Sequence, residues 1–323
     1  MFLKYINEPI IFQGRKKSRR YFEGWYFKQV STDLKSTISI IPGVSKDIND
    51  SHAFIQTIIN RNVQGNTRLT THYHRFSIED FKYTDEPFSL KIGKNIFKRD
   101  EIELELIDEE YSLSGKITFS NFTAIKTNPV FPNIMGYYAY LPIMECYHGI
   151  VSMSHGLEGT LLLNEEMLNF NEGKGYIEKD WGTSFPKEYV WVQSNNFNNS
   201  DASIMCSIAN IPFLGTSFKG FICNLYCDGK EYRFASYNNS KLLNIDYNEE
   251  LLEATMVKGN LKLELSARLS EGGMLKAPKD GNMNRTIKEG LNGVVNIKLI
   301  KNSSEILFYG TGNPCGIEIV KEE

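Results

Sequence analysis

Three carboxylic side chains stand among aromatic rings in two short stretches of this chain. In Gly175-Tyr-Ile-Glu-Lys-Asp-Trp-Gly182 and on to Phe197, Glu178 and Asp180 precede Trp181, Tyr189 and Trp191, with almost no aliphatic filler. In Arg20-Tyr-Phe-Glu-Gly-Trp-Tyr-Phe-Lys-Gln-Val30, Glu23 lies between Tyr21 and Trp25, and Tyr26 follows. A carboxyl group between apolar rings is costly to ionise, and as a neutral acid it can give up a proton. The rings around it offer π faces that attract a cation. Plainer readings stand beside this one: Glu23 paired with Arg20 or Lys28 at the surface, and Glu178 tied to Lys179 or Lys187 to fix a turn.

Strands must position these groups. From Tyr189 the residues divide by a period of two: Tyr189, Trp191, Gln193 and Asn195 on one face, Val190, Val192, Ser194 and Asn196 on the other. Two rings followed by two amides suit an apolar molecule with a polar end. A core tryptophan on an ordinary strand, with its amides in water, gives the same pattern. In the earlier stretch Tyr21, Glu23, Trp25 and Phe27 share a face, and Gly24 lets something approach the backbone closely.

Strand patterns dominate elsewhere, at 37–41, 53–60, 101–107, 112–120, 159–163, 204–208, 220–227, 261–267 and 294–300, most of them bounded by Gly, Asn, Asp or Pro. The best helical window is Asn248 to Val257. The chain therefore reads as all-β. It also echoes itself: Trp25-Tyr-Phe-Lys-Gln29, Ile38-Ser-Ile-Ile-Pro42 and Ala53-Phe-Ile-Gln56 return in order as Trp191-Val-Gln-Ser-Asn195, Ser207-Ile-Ala-Asn-Ile-Pro212 and Gly220-Phe-Ile-Cys223. Two copies of one antiparallel barrel follow, one over residues 1–156 and one over 157–323, divided in the Gly- and Ser-bearing segment near His148 to Gly159. Closure of each sheet leaves interiors able to hold an apolar ligand. Thr127 to Met144, with Pro129, Pro132 and Pro142 among tyrosines, reads as a long loop, either a lid or a strap sealing a barrel.

Composition narrows the function classes. The 323 residues suffice for two cores, and 17 Tyr with 20 Phe suit strands and apolar cavities. A net charge of -3 gives no general affinity for nucleic acid. Arg15, Lys16, Lys17, Arg19 and Arg20 form a local basic cluster, read as a solvated loop or as a peripheral contact with anionic lipid. Met1 to Gly14 lacks the apolar core of a secretory signal, no stretch could span a bilayer, and five scattered cysteines suit a reducing compartment, so a cytoplasmic location is expected. His72 and His74 alternate as metal ligands often do, but two donors without a third make no site. With no phosphate loop, dinucleotide fingerprint or nucleophile elbow, neither cofactor nor metal is expected.

Longer blocks carry a resemblance. Phe22-Glu-Gly-Trp-Tyr-Phe27, Glu178-Lys-Asp-Trp-Gly182 and Phe185-Pro-Lys-Glu-Tyr-Val-Trp-Val-Gln-Ser-Asn-Asn-Phe197 resemble signature blocks of the tocopherol cyclase family, whose plant members close the chromanol ring of vitamin E. Ser51-His-Ala-Phe-Ile-Gln56, Leu275-Lys-Ala-Pro278 and Gly316-Ile-Glu-Ile319 are similar to blocks of bacterial members. The resemblance implies tandem lipocalin-like barrels and an acid that protonates a prenyl double bond, after which the phenol oxygen captures the tertiary cation. It implies Glu178 as proton donor ahead of Asp180, where plant members carry Asn, with Glu23 as the alternative. Trp25, Tyr26, Trp181, Tyr189, Trp191, Gln193 and Asn195 would hold the substrate. A carrier of prenylquinones or other lipids could use the same cavity without catalysis, and both functions stay open at this point.

Overall fold

The computed structural model describes residues 2–63, 65–108, 111–198, 200–213 and 215–321. With 68% of residues in strands and 5% in helices, the protein is all-β, as its period-two alternation predicts. Its strands form two antiparallel, lipocalin-like sheets.

The first sheet starts with a meander of β1 (Tyr21–Val30), β2 (Ser36–Lys46), β3 (His52–Val63) and β4 (Asn66–Ser77). Shorter strands follow: β5 (Phe81–Asp85), β6 (Phe88–Ile92), β7 (Asn95–Lys98), β8 (Glu101–Ile107) and β9 (Ser112–Thr123). Then come β10 (Cys146–Leu163), β11 (Glu166–Asn169) and β12 (Lys174–Gly182). Their spatial order is β4-β3-β2-β1-β12-β10-β9-β8-β7-β6-β5, with β11 folded back on β10. The edge strands β4 and β5 are consecutive in sequence, joined by the 3-10 turn Ile78–Asp80, so the sheet curls into a nearly closed barrel. Gly115 and Gly159 make the curl possible between β9 and β10: both have positive φ, 132° and 135°, and a Cβ on either would strike the neighbouring strand's backbone, at Thr160 O and Lys116 O. Trp25, Phe27, Phe88, Phe97, Phe119 and Phe170 pack together in its core.

The second sheet comprises β13 (Tyr189–Ser194), β14 (Ser203–Phe213), β15 (Thr216–Cys227), β16 (Lys230–Ala235) and β17 (Lys241–Tyr247). It continues with β18 (Leu251–Lys258), β19 (Leu261–Arg268), β20 (Gly273–Lys279), β21 (Asn282–Lys301) and β22 (Glu305–Val320). The order β16-β15-β14-β13-β22-β21-β19-β18-β17 repeats the first plan: a four-strand meander whose first strand pairs with the last strand of the sheet, and edges that are consecutive in sequence. The internal echo in the sequence is thus an echo of topology, with Trp25 on β1 and Trp191 on the corresponding β13.

Two expectations need correction. The window Asn248 to Val257 is not helical; β18 sends Leu252, Ala254 and Met256 into the core at a period of two, and packing overrides their helix propensity. The division expected at 156/157 falls inside β10. One compact unit comprises Met1–Ile134, Glu145–Phe185 and Leu275–Thr286; the other comprises Met135–Met144, Pro186–Met274 and Ile287–Glu323. The reason is pairing: β12 hydrogen-bonds along β1 from Val30 to Phe22, so the segment that looks like a linker completes the first sheet. The long loop expected over Thr127 to Met144 is present; it contains the 3-10 turn Gly136–Tyr140, and Gly136 packs against Tyr237 within the second unit.

Among the described residues no helix is long and apolar enough to cross a membrane. Within the basic cluster, Arg15 pairs with Asp85 and its guanidinium lies 5.2 Å from the ring centres of both Tyr5 and Tyr83, while Arg20 pairs with Asp280 at 2.7 Å.

Candidate functional site

Strand β12 lies between β1 and β10 and carries chemistry on both of its faces. Ile177, Lys179 and Trp181 point toward the core of the first sheet, and the alternation places Tyr176, Glu178 and Asp180 on the outer face. Register brings the neighbours in: Gly24 and His148 flank Asp180, and Tyr26 and Ile150 flank Glu178.

The outer face holds an imidazole between two carboxylates. His148 Nδ1 and Asp180 Oδ1 are 2.8 Å apart, and His148 Nε2 lies 3.4 Å from Glu178 Oε2 without making a hydrogen bond. Tyr176 donates its hydroxyl to Glu178 Oε2 at 2.5 Å, and Ser39 donates to the Tyr26 hydroxyl at 2.7 Å. Glu178 and Tyr176 are buried, whereas Asp180 keeps 22% of its side chain exposed. Burial alone would push the imidazole down; the charges of Asp180 and Glu178 overcome this and raise His148 to about 9. Burial, followed by the charge of Glu178, holds the Tyr176 phenol well above its ordinary range. Space remains beside the cluster: a Cβ on Gly24, across the ladder from Asp180, would meet Ile41 at 3.8 Å and nothing closer.

These three side chains have ligand atoms within 4.8 Å of one another, a spacing that a divalent cation could span. The 2.8 Å contact between His148 and Asp180 is instead a charge-assisted hydrogen bond, the geometry of an acid–base pair.

The core face holds a second, separate constellation. Glu23 is fully buried and accepts from Gln13 N at 2.9 Å, Gly14 N at 2.9 Å and the Tyr21 hydroxyl at 2.5 Å, and it pairs with Lys179 Nζ at 2.5 Å. Lys179 also donates to Ile11 O at 2.6 Å and lies 4.8 Å from the ring centres of both Trp25 and Trp181. Burial lowers this ammonium to about 8 against the opposing pull of Glu23. Trp25 Nε1 donates to Ile10 O at 2.7 Å, so the whole group ties the segment Ile10–Gly14 onto the barrel. Surrounded by donors, Glu23 is built as an acceptor and faces away from Glu178 and Asp180. Its partner is Lys179, not Arg20 or Lys28.

Tyr189, Trp191, Gln193 and Asn195 belong to the second unit. Val190 and Val192 face that unit's core, so Tyr189, Trp191 and Gln193 point from the opposite side of β13 and do not line the barrel interior. Tyr189 donates to Glu318 at 2.5 Å, Trp191 packs against Gly316, and Asn195 Oδ1 accepts from Asn196 at 3.1 Å. Trp25, which joins the first core, and Trp191, which does not join the second, therefore occupy equivalent strands but opposite faces.

Of the residues expected at a site, the structure brings together Glu178, Asp180 and Tyr26 on one face, and Glu23, Trp25 and Trp181 on the other. Two members of the outer cluster were missed. Tyr176 shares the parity of Glu178 and Asp180 and was open to detection on that ground. His148 comes from another strand, and no local pattern marks it.

The sequence matches the family described as tocopherol cyclase-like over residues 106–320. The chain belongs to this family. The matched span includes His148, Tyr176, Glu178 and Asp180, and leaves Glu23, Trp25 and Tyr26 outside it. This tocopherol cyclase-like chain is 27% identical over 110 residues to a probable chloroplastic tocopherol cyclase of Oryza sativa subsp. japonica, covering 32% of the chain and 23% of the relative. It is 22% identical over 199 residues to the chloroplastic tocopherol cyclase of Zea mays, covering 57% and 41%. The chain thus spans less than half the length of these curated relatives. Among solved structures, a putative AttH from Nitrosomonas europaea superposes with a TM-score of 0.55 at 12% identity, over 92% of each chain. Kievitone hydratase from Nectria haematococca gives 0.51 at 12% identity, over 96% of this chain and 93% of that one. CghA gives 0.56 at 9% identity, over 94% and 89%. These likenesses bear on the fold alone.

Proposed function

We propose that the protein is an acid-catalysed cyclase that converts a prenylated quinol into a chromanol, with Glu178 as the proton donor. Family membership supports the reaction class. The observation that carries the assignment is the buried Glu178, which shares a single imidazolium with Asp180. Asp180 engages that imidazolium through Nδ1, and an apolar substrate that excludes water leaves the cluster neutral when one proton rests on the more buried carboxylate.

In the proposed step the carboxyl proton of Glu178 is transferred to the prenyl double bond, whose electron pair forms the new C–H bond and leaves a tertiary cation. A lone pair of the phenol oxygen closes the C–O bond. The phenolic proton then returns to the Glu178 carboxylate, so the reaction is an isomerisation that consumes nothing. The Tyr26 ring, across the ladder from Glu178, offers a π face to the cation. Tyr176 holds the carboxyl in place through its hydrogen bond, and the His148–Asp180 pair stands beside it.

Incubating the purified protein with a phytyl-quinol and following chromanol by mass spectrometry tests this. The unmutated protein is expected to form chromanol with or without a chelator, and Glu178→Gln to lower the rate about 10²- to 10⁴-fold at an unchanged melting temperature. Quinol that binds but is never converted would replace the cyclase reading with that of a carrier. Full activity in Glu178→Gln would remove this residue as the donor.

A further inference from the structure

The end of the first sheet remote from Glu23 contains a pocket of about 310 Å³ that the cyclase reading does not use. It lies at the Arg61 end of β3, where that strand pairs with Ser36 at the start of β2; Glu23 aligns with Val44 and Ala53 near the other end. Arg61 and Arg68 both line it and stand directly opposite each other in the β3–β4 ladder. Like charges in that position repel and destabilise the pairing, so their presence calls for a compensating anion. Glu166 supplies one, holding both terminal nitrogens of Arg61 in a two-pronged bridge. Among the described residues no carboxylate pairs with Arg68, and Arg61 Nε is buried with no hydrogen-bond partner. Among the described residues that line the pocket, one carboxylate thus stands beside two guanidinium groups, an excess of one positive charge in the lining.

The remaining wall is mixed, with Thr70 and Asn164 beside the rings of Tyr111 and His72 and the aliphatic Ile59 and Leu163. Tyr111 stacks on His72 with ring centres 3.9 Å apart, its hydroxyl is 3.1 Å from the Thr57 hydroxyl, and Ile59 closes the inner side. The volume lies at the small end of the range for ligand sites, too small for a long prenyl chain.

We propose that this pocket binds a small monocarboxylate with an apolar body, its carboxylate bridging Arg61 and Arg68 and its body lying against Tyr111 and His72. A guanidinium fork matches a planar carboxylate. The excess positive charge of the described lining matches one negative charge, whereas a phosphate monoester would bring a second into the field of Glu166.

Calorimetric titration of the full chain at low salt with octanoate, octan-1-ol and octyl phosphate tests the proposal. Octanoate is expected to saturate one site, octan-1-ol not to bind, and octyl phosphate to bind more weakly than octanoate. Arg68→Ala, at an exposed position, should weaken octanoate about 10-fold, the equivalent of one charged hydrogen bond. The melting temperature without ligand should be unchanged or higher, because the repulsion with Arg61 is gone. Glu178→Gln should bind octanoate as the unmutated chain does, which separates this site from the proposed reaction. Equal binding of octanoate and octan-1-ol, unaltered affinity in Arg68→Ala, tighter binding of octyl phosphate, or no binding of octanoate would each overturn it.

Discussion

His148 is the residue on which the outer cluster turns, and its proton links the site to stability. The folded protein holds that proton up to about pH 9, against an ordinary value of 6.5. Its stabilising contribution is therefore complete below about pH 6.5 and is lost as pH rises through 9. The buried Lys179 acts with the opposite sign, but only above pH 8, where the unfolded chain binds the proton more tightly than the folded one. His155, lowered to about 3 by burial, acts chiefly in acid, costing stability as pH falls below 6.5. His52, His72 and His74, also lowered by burial, act in the same sense as His155, so between pH 6.5 and 8 the His148 proton contributes a fall in unfolding free energy of about 2 kcal/mol that these histidines partly offset. Urea melts across this range are expected to lose that slope in His148→Gln. A slope of equal size in the variant would show that the imidazole is not held by Asp180 and Glu178.

At the scale of elements, β12 does two jobs through its alternation, and the core-facing one is structural. Lys179→Met would leave Glu23 buried without its cation, a loss of about 3–5 kcal/mol. Lys179→Met combined with Glu23→Gln is expected to recover part of that loss, since a neutral amide beside a thioether has less charge to desolvate, and paired thermal melts would show the recovery. A double variant as unstable as Lys179→Met would mean that the ammonium acts alone. This strand also shows what a sequence can disclose. Its alternation of Tyr176, Glu178 and Asp180 with Ile177, Lys179 and Trp181 is local and legible. The partners are not: His148 meets Asp180 across a ladder between residues 32 positions apart, and only pairing reveals it. The face that Trp191 presents was misjudged for a related reason. Period two separates the two sides of β13 without saying which one is the core, and the two valines, less conspicuous than the aromatic residues, face inward. In β18, a helix-like composition lost to a strand because Leu252, Ala254 and Met256 fit the pleat between β17 and β19, which pair with it on either side.

Across the whole molecule, the repeated topology was visible in the order of echoing segments, but the division between units was not. A flexible-looking stretch around Gly149 and Gly156 suggested a linker, whereas those glycines lie within β10. A fragment ending at Gly156 would strip β1 of its ladder with β12. It is expected to lack near-ultraviolet circular dichroism and a cooperative melt, whereas a fragment with two independent halves would keep both.

The return of residues 275–286 to the first unit has a consequence for the order in which the protein is made. Gln56 on β3 holds the backbone of Lys276 through both amide atoms, at 2.9 and 2.8 Å, and Ser45 donates to Gly281 O at 2.7 Å. These partners leave the ribosome only after Pro186–Met274, a stretch that takes on the order of 5–20 s to translate. During that interval the N-terminal unit lacks its last segment, and Gln56 and Ser45 lack these backbone partners. The nascent chain thus cannot finish its first unit first; most of the second is synthesised as an insertion within it, and the first closes only after residues 275–286 have emerged.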